Sequence, residues 1–82
     1  MTEPRKTLAD RPLTEPSVKR LKIDDPFREQ ILELHQQAIA SGIDEYRDPK
    51  TGFQVLTAKF HSSRGFCCDQ LCRHCPYIAS EQ

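Results

Sequence analysis

The sequence predicts a small α+β domain, and three observations lead there. One stretch carries helical apolar spacing, one tight turn is flanked by β-forming residues, and all four cysteines fall near the C-terminal end in "RGFCCDQLCRHCPY". The 82 residues suffice for one domain. A chain of this size buries only about 60% of its unfolded surface, so a metal or covalent cross-link would help a thin core. Twelve basic and twelve acidic residues cancel, which argues against a nucleic-acid partner. No apolar run approaches the roughly 20 residues that span a bilayer, so no membrane partner is expected.

Residues 1–23 read as a disordered arm, with the domain proper over 24–82. Pro4, Pro12 and Pro16 interrupt the arm, its charges alternate, and Leu8, Leu13 and Val18 form no stripe. The arm lacks the apolar segment of a secretory signal. It also carries Glu3, Asp10 and Glu15, which mitochondrial presequences avoid. The expectation is an intracellular, reducing compartment, cytoplasmic by default. The cluster Lys19, Arg20 and Lys22 reads as a solvated basic stretch, or as a short nuclear-import signal in a eukaryotic protein.

A helix follows. Asp24 or Asp25 can cap it, Pro26 fits its first position and Gly42 suits a left-handed stop. Phe27, Ile31, Leu34, Ala38 and Ile39 recur at helical spacing between them. His35 borders that stripe and reads as a surface or edge histidine. Next, Asp48-Pro49-Lys50-Thr51-Gly52 is a turn, because proline presets φ and glycine accepts a positive one. Phe53 to Phe60 is rich in β-formers and reads as a strand, with Phe53, Val55 and Thr57 on one face. Glu45 to Arg47 can pair with it as a hairpin. Helix and hairpin would pack together, with the cysteine loop closing the end.

That loop spaces its thiols as Cys67, Cys68, Cys72 and Cys75, with Pro76 directly after. Cys72-Arg73-His74-Cys75 is a CxxC grip suited to Zn2+, although zinc halves are usually more widely separated, and His61 or His74 could replace one thiolate. Cys68, Cys72 and Cys75 also form CxxxCxxC, a compact spacing that an iron–sulfur cluster accepts. The spacing leaves zinc and iron–sulfur level. A redox reading takes Cys72 and Cys75 as a dithiol, its thiol pKa lowered by Arg73 and by His74 if protonated. The bland alternative is four reduced, partly buried cysteines.

The C-terminal half also resembles a small uncharacterised cysteine-rich family with the pattern YxDPxTGxxVxTxxxHxxRGxCCxxxCRHCPY. Tyr46, Asp48, Pro49, Thr51, Gly52, Val55, Thr57, His61, Arg64, Gly65, Cys67, Cys68, Cys72, Arg73, His74, Cys75, Pro76 and Tyr77 meet it. Asp69 departs from it, since many members have glycine there. A looser likeness, limited to CCxxxCxxC, links the chain to small oxidoreductase-like proteins. The resemblance implies a fold neighbourhood and no established activity. It brings forward His61 as ligand or polar strand end, Arg64 and Arg73 as balancing or solvated charges, and Phe66 and Tyr77 as cluster shields or core aromatics.

The reading from sequence is therefore a non-catalytic metal- or iron–sulfur-binding domain that serves a protein partner or an electron-transfer step. Its ligands are Cys67, Cys68, Cys72 and Cys75, with His61 and His74 in reserve. The alternatives are a thiol redox protein or a plain interaction adaptor. No nucleophile–base–acid set and no phosphate loop supports a hydrolase or transferase.

Overall fold

Helix α1 covers Arg28–Ala40, strands β1 and β2 cover Glu45–Arg47 and Gln54–Leu56, helix α2 covers Ala58–Ser63, and a single 3-10 turn covers Ile78–Glu81. The structure is a computed structural model that describes residues 4–67 and 72–81. It is a small α+β arrangement of one main helix and a two-stranded antiparallel hairpin.

Helix α1 starts later than the capping signals predict. The Asp25 carboxylate accepts the Phe27 N–H at 2.8 Å, which makes a side-chain turn over Pro26. Phe27 then stands at the cap position without a side-chain bond, and the helix begins at Arg28. At the other end Gly42 takes φ +72, as its position predicts. Ile31 and Ala38 are buried and pack with Leu21 and Tyr46, while Phe27, Leu32, Leu34 and Val55 flank them.

The hairpin pairs Glu45 with Leu56, Tyr46 with Val55 and Arg47 with Gln54. Its turn closes through a bond from the Gly52 N–H to the Asp48 carbonyl at 2.8 Å, with Gly52 at φ +81. The predicted strand over Phe53 to Phe60 is too long. Thr57 ends it, because its side chain accepts the Phe60 N–H at 3.2 Å and caps α2. Phe53 is 73% exposed, so it does not share an inward face with Val55 and Thr57. A threonine satisfies both a β-former run and a helix cap, and here the cap prevails.

Residues 4–23 contain turns and one isolated bridge, between Leu8 and Tyr77. Their backbone lies along the C-terminal segment. Ala9 N–H donates to the Pro76 carbonyl at 2.8 Å, Ile78 N–H to Thr7 at 2.9 Å, and Ala79 N–H to Pro4 at 2.9 Å. Leu21, from the same stretch, is 3% exposed and belongs to the α1 core. No helix among the described residues is long and apolar enough to cross a membrane.

Candidate functional site

The approach to the cysteines is set by glycine. Helix α2 gives out at Arg64, and Gly65 takes φ +82, a left-handed value that turns the chain toward Cys67. Cys67 and Cys75 are buried, and their sulfurs lie 3.6 Å apart. Cys72 is half-buried and packs with Ala79 against the cluster of Cys67, Cys75 and Tyr77. No disulfide joins any two of the three described cysteines. The Tyr77 hydroxyl anchors the cluster to α2 by donating to the His61 carbonyl at 2.8 Å. Phe66, in contrast, is 43% exposed and does not belong to this cluster. Cys68 and Asp69 lie outside the described residues. Among the described residues, no group of three or more His, Cys, Asp or Glu is arranged to hold a metal ion.

Three arginines from the N-terminal stretch hold the cysteine backbone. Arg5 donates to the Cys67 carbonyl at 3.0 Å, Arg11 to that of Cys75 at 2.9 Å, and Arg20 to that of Cys72 at 3.1 Å. Arg20 is therefore not a solvated member of a basic stretch. Burial raises the Cys75 thiol pKa above its usual value, and the neighbouring Cys67 sulfur adds to the rise. Burial likewise raises that of Tyr77.

The histidines are placed differently from what the spacing predicts. His35 is fully buried, not at a surface or edge. Its Nε2 accepts the Ala58 N–H at 3.0 Å, which puts the ring proton on Nδ1. Its ring stacks on that of His74, with centroids 3.6 Å apart and planes at 2°. His74 Nε2 meets the Tyr46 hydroxyl at 2.6 Å. Arg73 donates to the same hydroxyl oxygen at 3.3 Å, so the phenolic proton points to His74. Nδ1 of His74 is buried without a hydrogen-bond partner, and Nδ1 of His35 is buried near the Thr14 carbonyl without a well-formed bond to it.

Burial lowers the His35 pKa to about 4, with the nearby Thr14 carbonyl opposing and His61 assisting. Burial lowers that of His74 to about 2, with the charges of His35 and Arg73 acting in the same direction. His74 is thus neutral and gives no positive charge to a neighbouring thiol, as the dithiol reading asked of it. Burial, then Arg64, also lowers the pKa of His61.

Arg73 pairs with Asp48 at 3.1 Å, and Asp48 is 2% exposed. The same carboxylate accepts Thr51 Oγ1 at 2.8 Å and the Lys50 N–H at 3.2 Å. Asp48 is therefore both the turn residue the sequence predicts and the counter-ion of the CRHC stretch, and Arg73 is not a solvated charge. Arg64 sits over the Phe60 and Phe66 rings, 5.7 and 5.9 Å from their centroids. A cleft of about 260 Å³ opens where β2 meets the cysteine segment, lined by Gln54, Val55, Leu56, His61, Cys72 and Arg73.

The buried chain of Asp48, Arg73, Tyr46, His74 and His35 escapes a reading by spacing. Asp48 is readable as a turn residue and Arg73 and His74 as neighbours of the thiols, but nothing in the spacing links them to Tyr46 and His35. Comparison with known proteins gives one match and one blank. The model of a family of unknown function (DUF5522) matches residues 34–81, which takes in most of α1 and everything after it. No solved structure matches the chain.

Proposed function

We propose, for a chain that belongs to DUF5522, a family of unknown function, that its role is non-catalytic metal binding through thiolates. The separation of Cys67 and Cys75 carries the reading. Two thiolates on one tetrahedral ion, with metal–sulfur bonds near 2.3 Å, stand about 3.8 Å apart. The observed 3.6 Å needs almost no rearrangement to meet that. Cys72 packs beside the pair, Cys68 completes the thiolate set in this reading, and His61 stands in reserve at the cleft. His74 stays in the core, since Tyr46 engages its Nε2.

Electrostatics support the same reading. Metal binding strips the thiol protons and leaves negative charge in the cluster. Arg5, Arg11 and Arg20 bring three guanidinium groups to the cysteine carbonyls, where that charge would be offset. Bound as Zn2+ or as an iron–sulfur cluster, the centre would stabilise the fold and serve a protein partner.

The test is anaerobic purification of the full chain, followed by metal analysis and an absorption spectrum. Stoichiometric zinc without colour, or iron and sulfide with broad visible absorbance, each supports the reading and names the group. A fully folded protein that neither retains nor takes up either metal sinks it.

A further inference from the structure

The geometry points to Cys67 and Cys75 as a dithiol–disulfide couple, oxidised by hydrogen peroxide that enters through Cys72. The inference uses the sulfurs of the proposed metal centre but does not rest on an ion being there. Sequence spacing suggests Cys72 with Cys75 as the pair; the sulfur hydrogen-bonded to Cys75 is that of Cys67. Closing the gap from 3.6 Å to a bond of about 2.05 Å asks for about 1.5 Å of movement, within reach of side-chain rotation. The backbone on both sides is already held. Cys67 N–H donates to the Arg5 carbonyl at 2.6 Å, and the Cys75 carbonyl accepts Arg11 at 2.9 Å.

Neither inner thiol can meet an oxidant directly, since Cys67 is 5% and Cys75 3% exposed. Cys72 can. It is half-buried, lines the cleft between β2 and the cysteine segment, and packs against the cluster formed by Cys67, Cys75 and Tyr77. The Cys72 thiolate attacks one peroxide oxygen; the S–O bond forms, the O–O bond breaks, and the leaving oxygen departs as water once protonated. The Cys75 sulfur then attacks the Cys72 sulfur and displaces its hydroxyl as a second water. Finally the Cys67 sulfur attacks Cys75, the Cys72–Cys75 bond breaks, and the Cys67 proton passes to Cys72. Two thiols have become one disulfide, their two electrons have reduced one peroxide to two waters, and Cys72 is restored.

The experiment treats the reduced full chain with one equivalent of hydrogen peroxide, alkylates the remaining thiols and locates the cross-link by peptide fragmentation. The expected end product joins Cys67 to Cys75 and leaves Cys72 alkylated. In a Cys68→Ser background, adding Cys72→Ser should slow the same cross-link about tenfold, because only the buried pair then remains to react. Cys75 joined to Cys72 or Cys68 at the end of the reaction, or no cross-link to Cys75, overturns the inference. An unchanged rate when Cys72→Ser is added to that background overturns the entry role. A chain that binds its ion but never forms this cross-link defeats only the inference. One that forms it but never binds an ion defeats only the metal reading.

Discussion

His35 and His74, separated in sequence by the end of α1, the hairpin, α2 and most of the cysteine segment, lie face to face with ring centroids 3.6 Å apart. Both rings are neutral, since burial holds their pKa values at about 4 and about 2. The stack pins α1 to the CRHC stretch, and a proton on either ring would have to enter a buried contact.

Stability should therefore fall with acid well above the range where carboxylates titrate. A folded-state pKa below the unfolded value of 6.5 means that the unfolded chain binds the proton more readily. The His35 contribution is complete above pH 6.5 and is lost as pH falls toward 4. Carried to pH 4, the loss is on the order of 3 kcal/mol for this one ring. Urea unfolding at pH 7.5, 6 and 5 checks it, with His35→Gln expected to flatten the dependence. Identical midpoints across that range would contradict the buried neutral pair.

Tyr46→Phe should cost about 1–3 kcal/mol, because it deprives His74 Nε2 of its hydrogen bond in a site closed to water. Losing the hydroxyl takes away no apolar packing, so the unfolding slope in urea should stay unchanged while the midpoint drops. A midpoint equal to that of the parent would mean that the Tyr46–His74 bond contributes nothing.

Asp48→Asn should be the costlier change, about 3 kcal/mol or more, because it leaves the Arg73 guanidinium without its buried partner. Burial works to raise the Asp48 pKa, but bonds from Arg73, Thr51 and the Lys50 amide outweigh it and lower it to about 2. Its contribution is thus full above pH 3.8 and disappears only as pH falls toward 2. A double-mutant cycle with Arg73→Met should recover part of the loss. Simple additivity would mean that the pair is not coupled.

Gly65→Val tests a backbone effect free of crowding. A Cβ at this position meets nothing within 4 Å, so the penalty comes chiefly from the φ of +82. That strain is worth about 1–2 kcal/mol. Gly65→Asn should lose less, since asparagine tolerates the left-handed region. In the metal reading, retention should follow the same order: glycine, asparagine, valine. Full metal content in Gly65→Val would separate this turn from the site.

Local signals were legible in the sequence. The Asp48–Gly52 turn, the glycine at 42 and the apolar face of α1 each follow from steric rules that act over a few residues. Thr57 misled because the same side chain suits a strand and a helix cap. His35 was misplaced because its partners are a backbone amide of α2 and a ring of the cysteine segment, and no periodicity encodes either. The cysteines announced a site by their density, but their spacing could not say which sulfurs meet. That pairing depends on the turn at Gly65 and on the arginine contacts from far upstream.

The arginine contacts also set an order of events in the making of the chain. Arg5 and Cys67 are 62 residues apart, and Arg11 and Cys75 are 64 apart. At about 5–20 residues per second, a ribosome needs roughly 3 to 12 s to travel such a distance. The arginines leave the exit tunnel first and must wait for the thiols they will hold. Until Cys67 and Cys75 emerge, neither arginine has its carbonyl partner, so the cysteine segment is held only after the long stretch between them has been made.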